Sequence, residues 1–345
     1  MAPKKRINLA LQGGGAHGAY AWGVLDAFCE DGRVEIDGLS ATSAGAMNAS
    51  VYAYGMMKGG NDGARTALHD FWFDIAKTAK SFEPMHKGAM DWFTGGFGGL
   101  ESAATFAMME NFTRTFSPYE FNPMNINPLR DVLSRHVDFE ELHACECAKL
   151  FISATNVRTN KIKIFKNEDV TVDSIMASAC LPMLFQAVEI DGEAYWDGGY
   201  MGNPALFPLI YYTDTDDILV LHINPIVRDE VPRRAPDISN RINEISFNSS
   251  LLRELRTFEL VRRMVEEDWI KPEHRHNFLF DKLCMHAIRA DKTLCDLSIS
   301  SKMSPDWDFL CDLRDRGRAE AQHWLKAHYK DIGKCGTIDL KREFE

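Results

Sequence analysis

Basic residues are scarce beside acidic ones: 39 Lys and Arg stand against 50 Asp and Glu, a formal net charge of -11. That balance repels phosphodiester backbones and anionic bilayer surfaces, so nucleic acid is not an expected partner. Cysteine is sparse as well, with eight residues of which only Cys145 and Cys147 lie close together. Neither a disulfide framework nor a second ligand pair for a zinc site is visible, which points to a reduced, cytoplasmic protein. Long hydrophobic runs are missing too. Met1–Arg6 followed by Ile7–Leu11 imitates a signal peptide, but the apolar run is short and meets Gln12 and three glycines, so it reads as a first strand. Gly38–Met57 is uncharged and long enough to span a bilayer, yet Ser40, Thr42, Ser43, Asn48 and Ser50 make it too polar for hydrocarbon. It reads as a buried turn and helix. No internal repeat or low-complexity linker divides the chain.

What the sequence does contain is a regular alternation. Ile7–Leu11, a glycine loop and a helix over Ala16–Phe28, closed by Asp31-Gly32, make one strand, loop and helix unit. Val34–Thr42 and a small-residue helix over Ala44–Met57, stopped by Gly59-Gly60, make a second. Two such units in a row predict an α/β fold with a parallel sheet and crossover helices. Another helix is expected over Asn61–Ala79, then irregular structure over 80–128, which contains Gly95-Gly96-Phe97-Gly98-Gly99. Strands are predicted at Leu150–Val157, Lys161–Phe165, Val188–Trp196 and Ile218–Ile223, and a helix at Val172–Ala179. Beyond Pro232, Ile238, Ile242, Ile245, Leu252, Leu255, Phe258 and Val265 recur at helical spacing. They predict a long amphipathic helix with this stripe on the core. His274–Ser304 gives no clear pattern, and Asp306–Tyr329 predicts a closing helix.

Three short segments carry chemistry. Gly13-Gly14-Gly15-Ala16-His17-Gly18 matches G-x-G-x-x-G after a strand and before a helix. Alone it fits a dinucleotide loop, with Glu35 or Asp37 at about the right distance for the ribose, an anion-stabilising loop, or a bare turn. Thr42-Ser43-Ala44-Gly45 falls at a strand-to-helix junction, where a serine can be thrust out of a sharp turn. Such an elbow needs small residues two before and two after the serine, here Ala41 and Gly45, with Ala41 in place of the usual glycine. A helix N-cap is the competing role for a lone serine there. Tyr195-Trp196-Asp197-Gly198-Gly199 sets an aspartate at a strand end before a tight turn.

Taken together, the glycine loop after the first strand, the serine elbow after the second and the later Asp-Gly-Gly resemble the patatin-like phospholipase family. Ala177-Ser178-Ala179-Cys180-Leu181-Pro182 also looks like the family's helix and turn ahead of the aspartate. The resemblance covers roughly residues 7–210. It implies a three-layer α/β fold with a mainly parallel central sheet flanked by helices, and leaves 211–345 as a remaining strand and a helical C-terminal extension on the same core. By position it implies Ser43 as nucleophile, Asp197 as the second member of a dyad, and the N–H groups of Gly13, Gly14 and Gly15 as an oxyanion hole. Gly18, Ala41, Gly45, Gly198 and Gly199 support these turns. The activity implied is hydrolysis of acyl esters, commonly of phospholipids or lysophospholipids, without metal or organic cofactor.

Physical chemistry sets requirements on this assignment. A serine hydroxyl is a poor nucleophile until a base takes its proton, and an aspartate at its ordinary pKa of about 3.9 is a weak base, so Asp197 is expected to be buried and raised. His222 offers an alternative, because Ser43, Asp197 and His222 follow the chain order of an α/β-hydrolase triad, although it sits in a buried-looking strand. His17 either lines the site or is structural. His274 and His276 have no evident ligand partners, so no metal is expected. Phe93, Phe97, Phe106, Met108, Met109, Phe112 and Phe116 offer adaptable apolar surface, either as a lid or acyl groove within 80–128 or as ordinary core. Contact with a membrane surface is expected to be hydrophobic, transient and peripheral. Two rivals stand beside the hydrolase: a catalytically silent scaffold that binds lipid or protein, and a nucleotide-dependent oxidoreductase built on the glycine loop.

Overall fold

The computed structural model describes residues 4–94, 112, 113, 115–271, 282–295, 297 and 300–344, with residues 81–94, 236, 300 and 344 described by backbone alone. A single mixed sheet runs through it. Its strands are β1 (Lys5–Leu11), β2 (Val34–Ala41), β3 (Lys149–Asn156), β4 (Ile162–Lys166), β5 (Val188–Ile190), β6 (Glu193–Asp197), β7 (Asp217–His222) and β8 (Cys284–Arg289). The order is β5-β6-β3-β2-β1-β7-β8, with β4 also paired to β3. Pairings among β3, β2, β1, β7 and β8 are parallel, while β4 and β6 run antiparallel to β3 and β5 antiparallel to β6.

Period-2 burial explains the layers. Leu9, Leu11, Leu219 and Leu221 face one core, and Ala10, Ile218 and Val220 face the other. The first core is covered by α1 (Gly18–Asp31), by α2 (Ala44–Thr94) and later by a closing helix, Trp307–His328. The second is covered by Phe207–Tyr212 and by a long helix, Ala235–Glu266. With α3 as Val172–Ser178, the long helix is α4 and the closing helix α5. The crossing of α1 and α5 is very close: a Cβ on Gly23 would strike the Arg314 carbonyl, and one on Gly317 the Tyr20 carbonyl. Trp22 stacks between Trp72 and Trp307 at this junction, with ring centroids 6.4 and 6.1 Å away.

The α/β class, the central sheet flanked by helices and the helical C-terminal region agree with expectation, and several details differ. The Gly59-Gly60 stop is real as a kink, with Gly60 at φ 60°, but the helix resumes and α2 continues to Thr94 rather than ending near Ala79. Lys80, Glu83, Met85, Lys87 and Ala89 are good helix formers, which the expectation of irregular structure undervalued. Val188–Trp196 is a hairpin rather than one strand, because Asp191 at φ 53° and Gly192 at φ 78° form a tight turn within it. Strand β8 lies in the stretch that gave no pattern. Along α4 the buried stripe is Glu244, Asn248, Leu251, Leu255 and Phe258, so Ile238, Ile242 and Ile245 are 41%, 63% and 55% exposed. The first half of the helix turns polar side chains inward to make hydrogen bonds, and its isoleucines point out. Cys145 and Cys147, expected to be reduced, are joined by a disulfide that spans a single intervening residue. Phe97, Phe106, Met108, Met109, Gly95–Gly99, His274 and His276, and the side chain of Phe93, lie outside the described residues. Among the described residues no helix is long and apolar enough to cross a membrane.

Candidate active site

The carboxyl ends of the parallel strands gather the three motifs. Strand β1 lies between β2 and β7, so the chain order reverses direction there, and crevices of open α/β sheets form at such points. The register does the rest: Ala41 pairs with Ile152, and two residues further along β3 Ala154 pairs with Asp197. Ser43, two residues beyond Ala41, is thereby brought level with Asp197.

Ser43 occupies the left-handed region at φ 56°, a conformation that costs a non-glycine residue about 1 kcal/mol or more. Surrounding contacts hold it there. The Ser43 N–H donates to Ser178 Oγ at 2.9 Å, the Thr42 hydroxyl donates to the Gly202 carbonyl at 2.7 Å, and the Gly45 N–H donates to the Thr42 carbonyl at 2.9 Å. Small residues are needed around it for a visible reason. A Cβ on Gly45 would lie 2.5 Å from the Leu11 carbonyl oxygen, and Ala41 is fully buried between β1 and β3.

Asp197 ends β6 and is 1% exposed. Its main chain is pinned on both sides, the N–H donating to the Cys180 carbonyl and the carbonyl accepting from the Thr155 hydroxyl, each at 2.8 Å. The turn through Gly198 and Gly199 lets the Gly199 N–H return to Asp197 Oδ1 at 2.7 Å. Burial pushes the Asp197 carboxyl up to about 7, against the opposing effect of hydrogen bonds from Gly199 and from the Ser43 side chain. A carboxylate poised near neutrality beside a strained serine can accept that serine's proton.

The glycine loop covers the same spot. A Cβ on Gly13 would lie 2.7 Å from Ser43 Cβ, and one on Gly18 2.7 Å from Ala44 Cβ, so both glycines are required for the loop to lie over the elbow. Gly13 departs from expectation in one respect. Its N–H donates to Asn203 Oδ1 at 2.7 Å and is not free for a substrate oxygen. The N–H groups of Gly14 and Gly15 have no acceptor among the described residues; Gly14 is half-buried and Gly15 exposed. Gly15, at φ 59°, also needs to be glycine.

Several residues that hold this loop gave no signal in the sequence. Gln12 is fully buried, and its Oε1 accepts from the Ile223 and Asn224 N–H groups at 2.8 and 3.0 Å, while its Nε2 donates to Asn248 Oδ1 at 2.9 Å. Replacing Gln12 by Ala orphans buried groups on three segments. It is expected to cost roughly 2–4 kcal/mol in urea denaturation, far more than a surface Gln→Ala change.

The histidines do not enter the site as bases. His222 is buried at the end of β7, its ring nitrogens have no hydrogen-bond partner among the described residues, and burial, reinforced by Arg289, lowers its pKa to about 3. Among the described residues no carboxylate orients it. His17 is engaged by Ser301 Oγ at 2.7 Å, and burial, with Lys302 acting in the same direction, lowers its pKa to about 3 as well. Glu35 and Asp37 lie toward the start of β2, whereas the glycine loop follows the end of β1 in the parallel sheet. Glu35 pairs with Arg6 at 3.0 Å and Asp37 accepts the Asp214 N–H at 2.6 Å, so neither is placed to hold a ribose at the loop. A cavity of about 690 Å³ opens beside α1, α2 and α5, but its lining includes none of these motif residues and its charges pair with one another, as in Arg65 with Asp26 at 2.9 Å.

Fold and site together define a mainly parallel α/β protein built around a serine and aspartate pair under a glycine loop. The chain belongs to the patatin-like phospholipase family, whose model matches residues 9–210. That family is typically made up of lipid acyl hydrolases. Among solved structures, VipD from Legionella pneumophila is similar over 100% of this chain and 73% of its own, with 15% identity and a TM-score of 0.45. No curated protein matches the chain.

Proposed function

We propose that the protein is a serine acyl-ester hydrolase acting on phospholipids or lysophospholipids, with Ser43 as nucleophile and Asp197 as the base. The observation that carries this reading is a strained Ser43 brought level by the strand register with a buried Asp197 whose carboxyl is raised to about 7. In the proposed sequence Asp197 takes the hydroxyl proton as Ser43 Oγ bonds to the acyl carbon. The carbonyl oxygen becomes an oxyanion, met by the N–H groups of Gly14 and Gly15, each such donor being worth about 3 kcal/mol of barrier. Collapse breaks the ester bond, and the proton on Asp197 passes to the leaving alkoxide. Water, deprotonated by Asp197, then attacks the acyl-enzyme, and the fatty acid leaves as Asp197 returns the proton to Ser43 Oγ. No step calls for a metal or organic cofactor.

The acyl chain would find apolar surface beside the dyad. Met183 and Tyr200 are exposed on the turns next to Cys180 and Asp197. The segment bearing Phe116, Tyr119 and Met124, also exposed, is tied to the same turn, where the Ala187 N–H donates to the Tyr119 hydroxyl at 3.2 Å. We read 7–210 as the catalytic unit and 211–345 as its extension, acting in the cytoplasm with transient contact at lipid surfaces.

The test uses p-nitrophenyl esters of short and long acyl chains, a fluorescent phospholipid and a fluorophosphonate probe. The wild type should turn over esters and take up the label, Ser43→Ala should do neither, and His222→Gln should keep both. An inactive, unlabelled wild type would make a binding scaffold the better account.

A further inference from the structure

The segment Ser300–Met303 packs against the glycine loop. A Cβ on Gly15 would strike the Lys302 carbonyl oxygen, and Ser301 holds His17. The side chain of Lys302 makes the third connection. Its Nζ donates to Asn224 Oδ1 at 2.7 Å and to Asn243 Oδ1 at 3.3 Å. Asn224 follows β7, and its Nδ2 in turn donates to the Gly13 carbonyl at 2.9 Å. An ammonium can only donate, so it fixes which end of the Asn224 amide is oxygen and leaves the NH2 facing Gly13.

The Gly13 carbonyl and the Gly14 N–H belong to one peptide group. A hydrogen bond donated to that carbonyl draws electron density from the N–H end and makes it a stronger donor, and a cation behind the chain adds to the effect. We propose that Lys302, acting through Asn224, is a positioning residue that orients and polarises the Gly13–Gly14 peptide for oxyanion binding. This rests on the hydrolase reading above. The loop's own titratable side chain, His17, is neutral at working pH, so the cation comes from about 285 residues further along the chain, as its separation from Ser301 is 284.

The surroundings fit a charge held in place rather than a side chain filling space. Lys302 is partly exposed as a residue, and its ammonium is the enclosed end, facing Asn224, Asn243, and the nearby Glu244 and Arg228. Glu244 is itself bound to Arg228 and, at 3.0 Å, to Arg241, so it is not a dedicated counterion for Lys302. Burial lowers the Lys302 pKa to about 8, with Glu244 opposing and Arg228 reinforcing the shift. Around that pH the ammonium loses its proton and, with it, the positive charge that strengthens its bond to Asn224 and polarises the peptide beyond it.

The experiment measures kcat and KM for p-nitrophenyl butyrate hydrolysis across pH 6–10 with wild type, Lys302→Met, Lys302→Arg and Asn224→Leu, each checked for melting temperature. In Lys302→Met, kcat is expected to fall by about tenfold to a hundredfold with KM little changed, since the interaction grows as charge develops on the oxygen. Lys302→Arg should recover most of kcat and lose the wild-type decline near pH 8, because guanidinium does not titrate there. Lys302→Met with Asn224→Leu should cost much less than the sum of the two, as both break one relay. A Lys302→Met enzyme with wild-type kcat overturns the proposal while the hydrolase reading stands. A wild type that neither hydrolyses the ester nor labels with fluorophosphonate overturns both at their common root. If Lys302→Met does not fold, the arginine variant decides: an alkaline limb unchanged from wild type overturns the proposal, and one displaced upward supports it.

Discussion

Replacing Ser43 by Ala is expected to lower kcat for ester hydrolysis by about 10⁴–10⁶-fold while leaving the melting temperature close to wild type. Serine hydrolases lose factors of this order with their nucleophile, and what remains reflects the oxyanion site and substrate binding. Structure adds a second, independent reading of the same position. Ser43 sits at φ 56° although it has a Cβ, so glycine should be favoured there over alanine. Ser43→Gly is expected to be about 1 kcal/mol more stable than Ser43→Ala in urea denaturation, with both equally inactive. A Gly variant less stable than the Ala variant would mean that the elbow is not strained, and the mechanical part of the assignment would fail. Activity retained in either variant would remove Ser43 from the chemistry altogether.

The sharp turns at Ser43 and Asp197 could be read from the sequence because they leave local marks: small residues at 41 and 45, and Asp-Gly-Gly at a strand end. Those marks follow from steric demands acting within a few residues. The groups that hold the glycine loop leave none. Gln12, Asn203, Asn224 and Lys302 are ordinary polar residues until the sheet brings β1, β7 and the segment near 302 together, and nothing local distinguishes them from surface side chains. The same limit applies to the proposed oxyanion donors. Three consecutive glycines look equivalent, and only the bond from the Gly13 N–H to Asn203 separates Gly13 from Gly14 and Gly15. Along α4 the expected stripe holds in the second half, where Leu255, Phe258 and Val265 are buried, but in the first half Glu244 and Asn248 are buried by the hydrogen bonds they make, so hydropathy alone gives the wrong phase there. Strand β8, Cys-Met-His-Ala-Ile-Arg, was hidden because it is stabilised partly by polar contacts, with His286 bonded to Asp217 at 3.0 Å and to Thr337 at 3.1 Å.

Asp197→Asn is expected to abolish turnover and, at alkaline pH, to stabilise the fold. Both effects follow from one property. Burial raises the Asp197 carboxyl from its ordinary value of 3.8 to about 7, so between those limits the folded protein holds a proton that the unfolded chain releases. Stability therefore falls as pH rises through this window and levels off above about 7, at a total cost on the order of 4 kcal/mol. Asparagine keeps an oxygen to accept the Gly199 N–H but carries no charge to desolvate. Its melting temperature should exceed wild type by several degrees at pH 8, and the gap should close as pH falls toward 4. Catalysis has the opposite requirement, because only the ionised carboxylate can take the Ser43 proton. In the wild type kcat/KM is expected to rise about tenfold per pH unit below 7 and to level off there, before the decline near pH 8 that Lys302 imposes. An acid limb centred near 4, or an Asn variant no more stable than wild type at pH 8, would mean that Asp197 is solvated in the working enzyme and that the base has to be sought elsewhere. If both signatures appear together, the buried charge that destabilises the fold is the same charge that activates the serine.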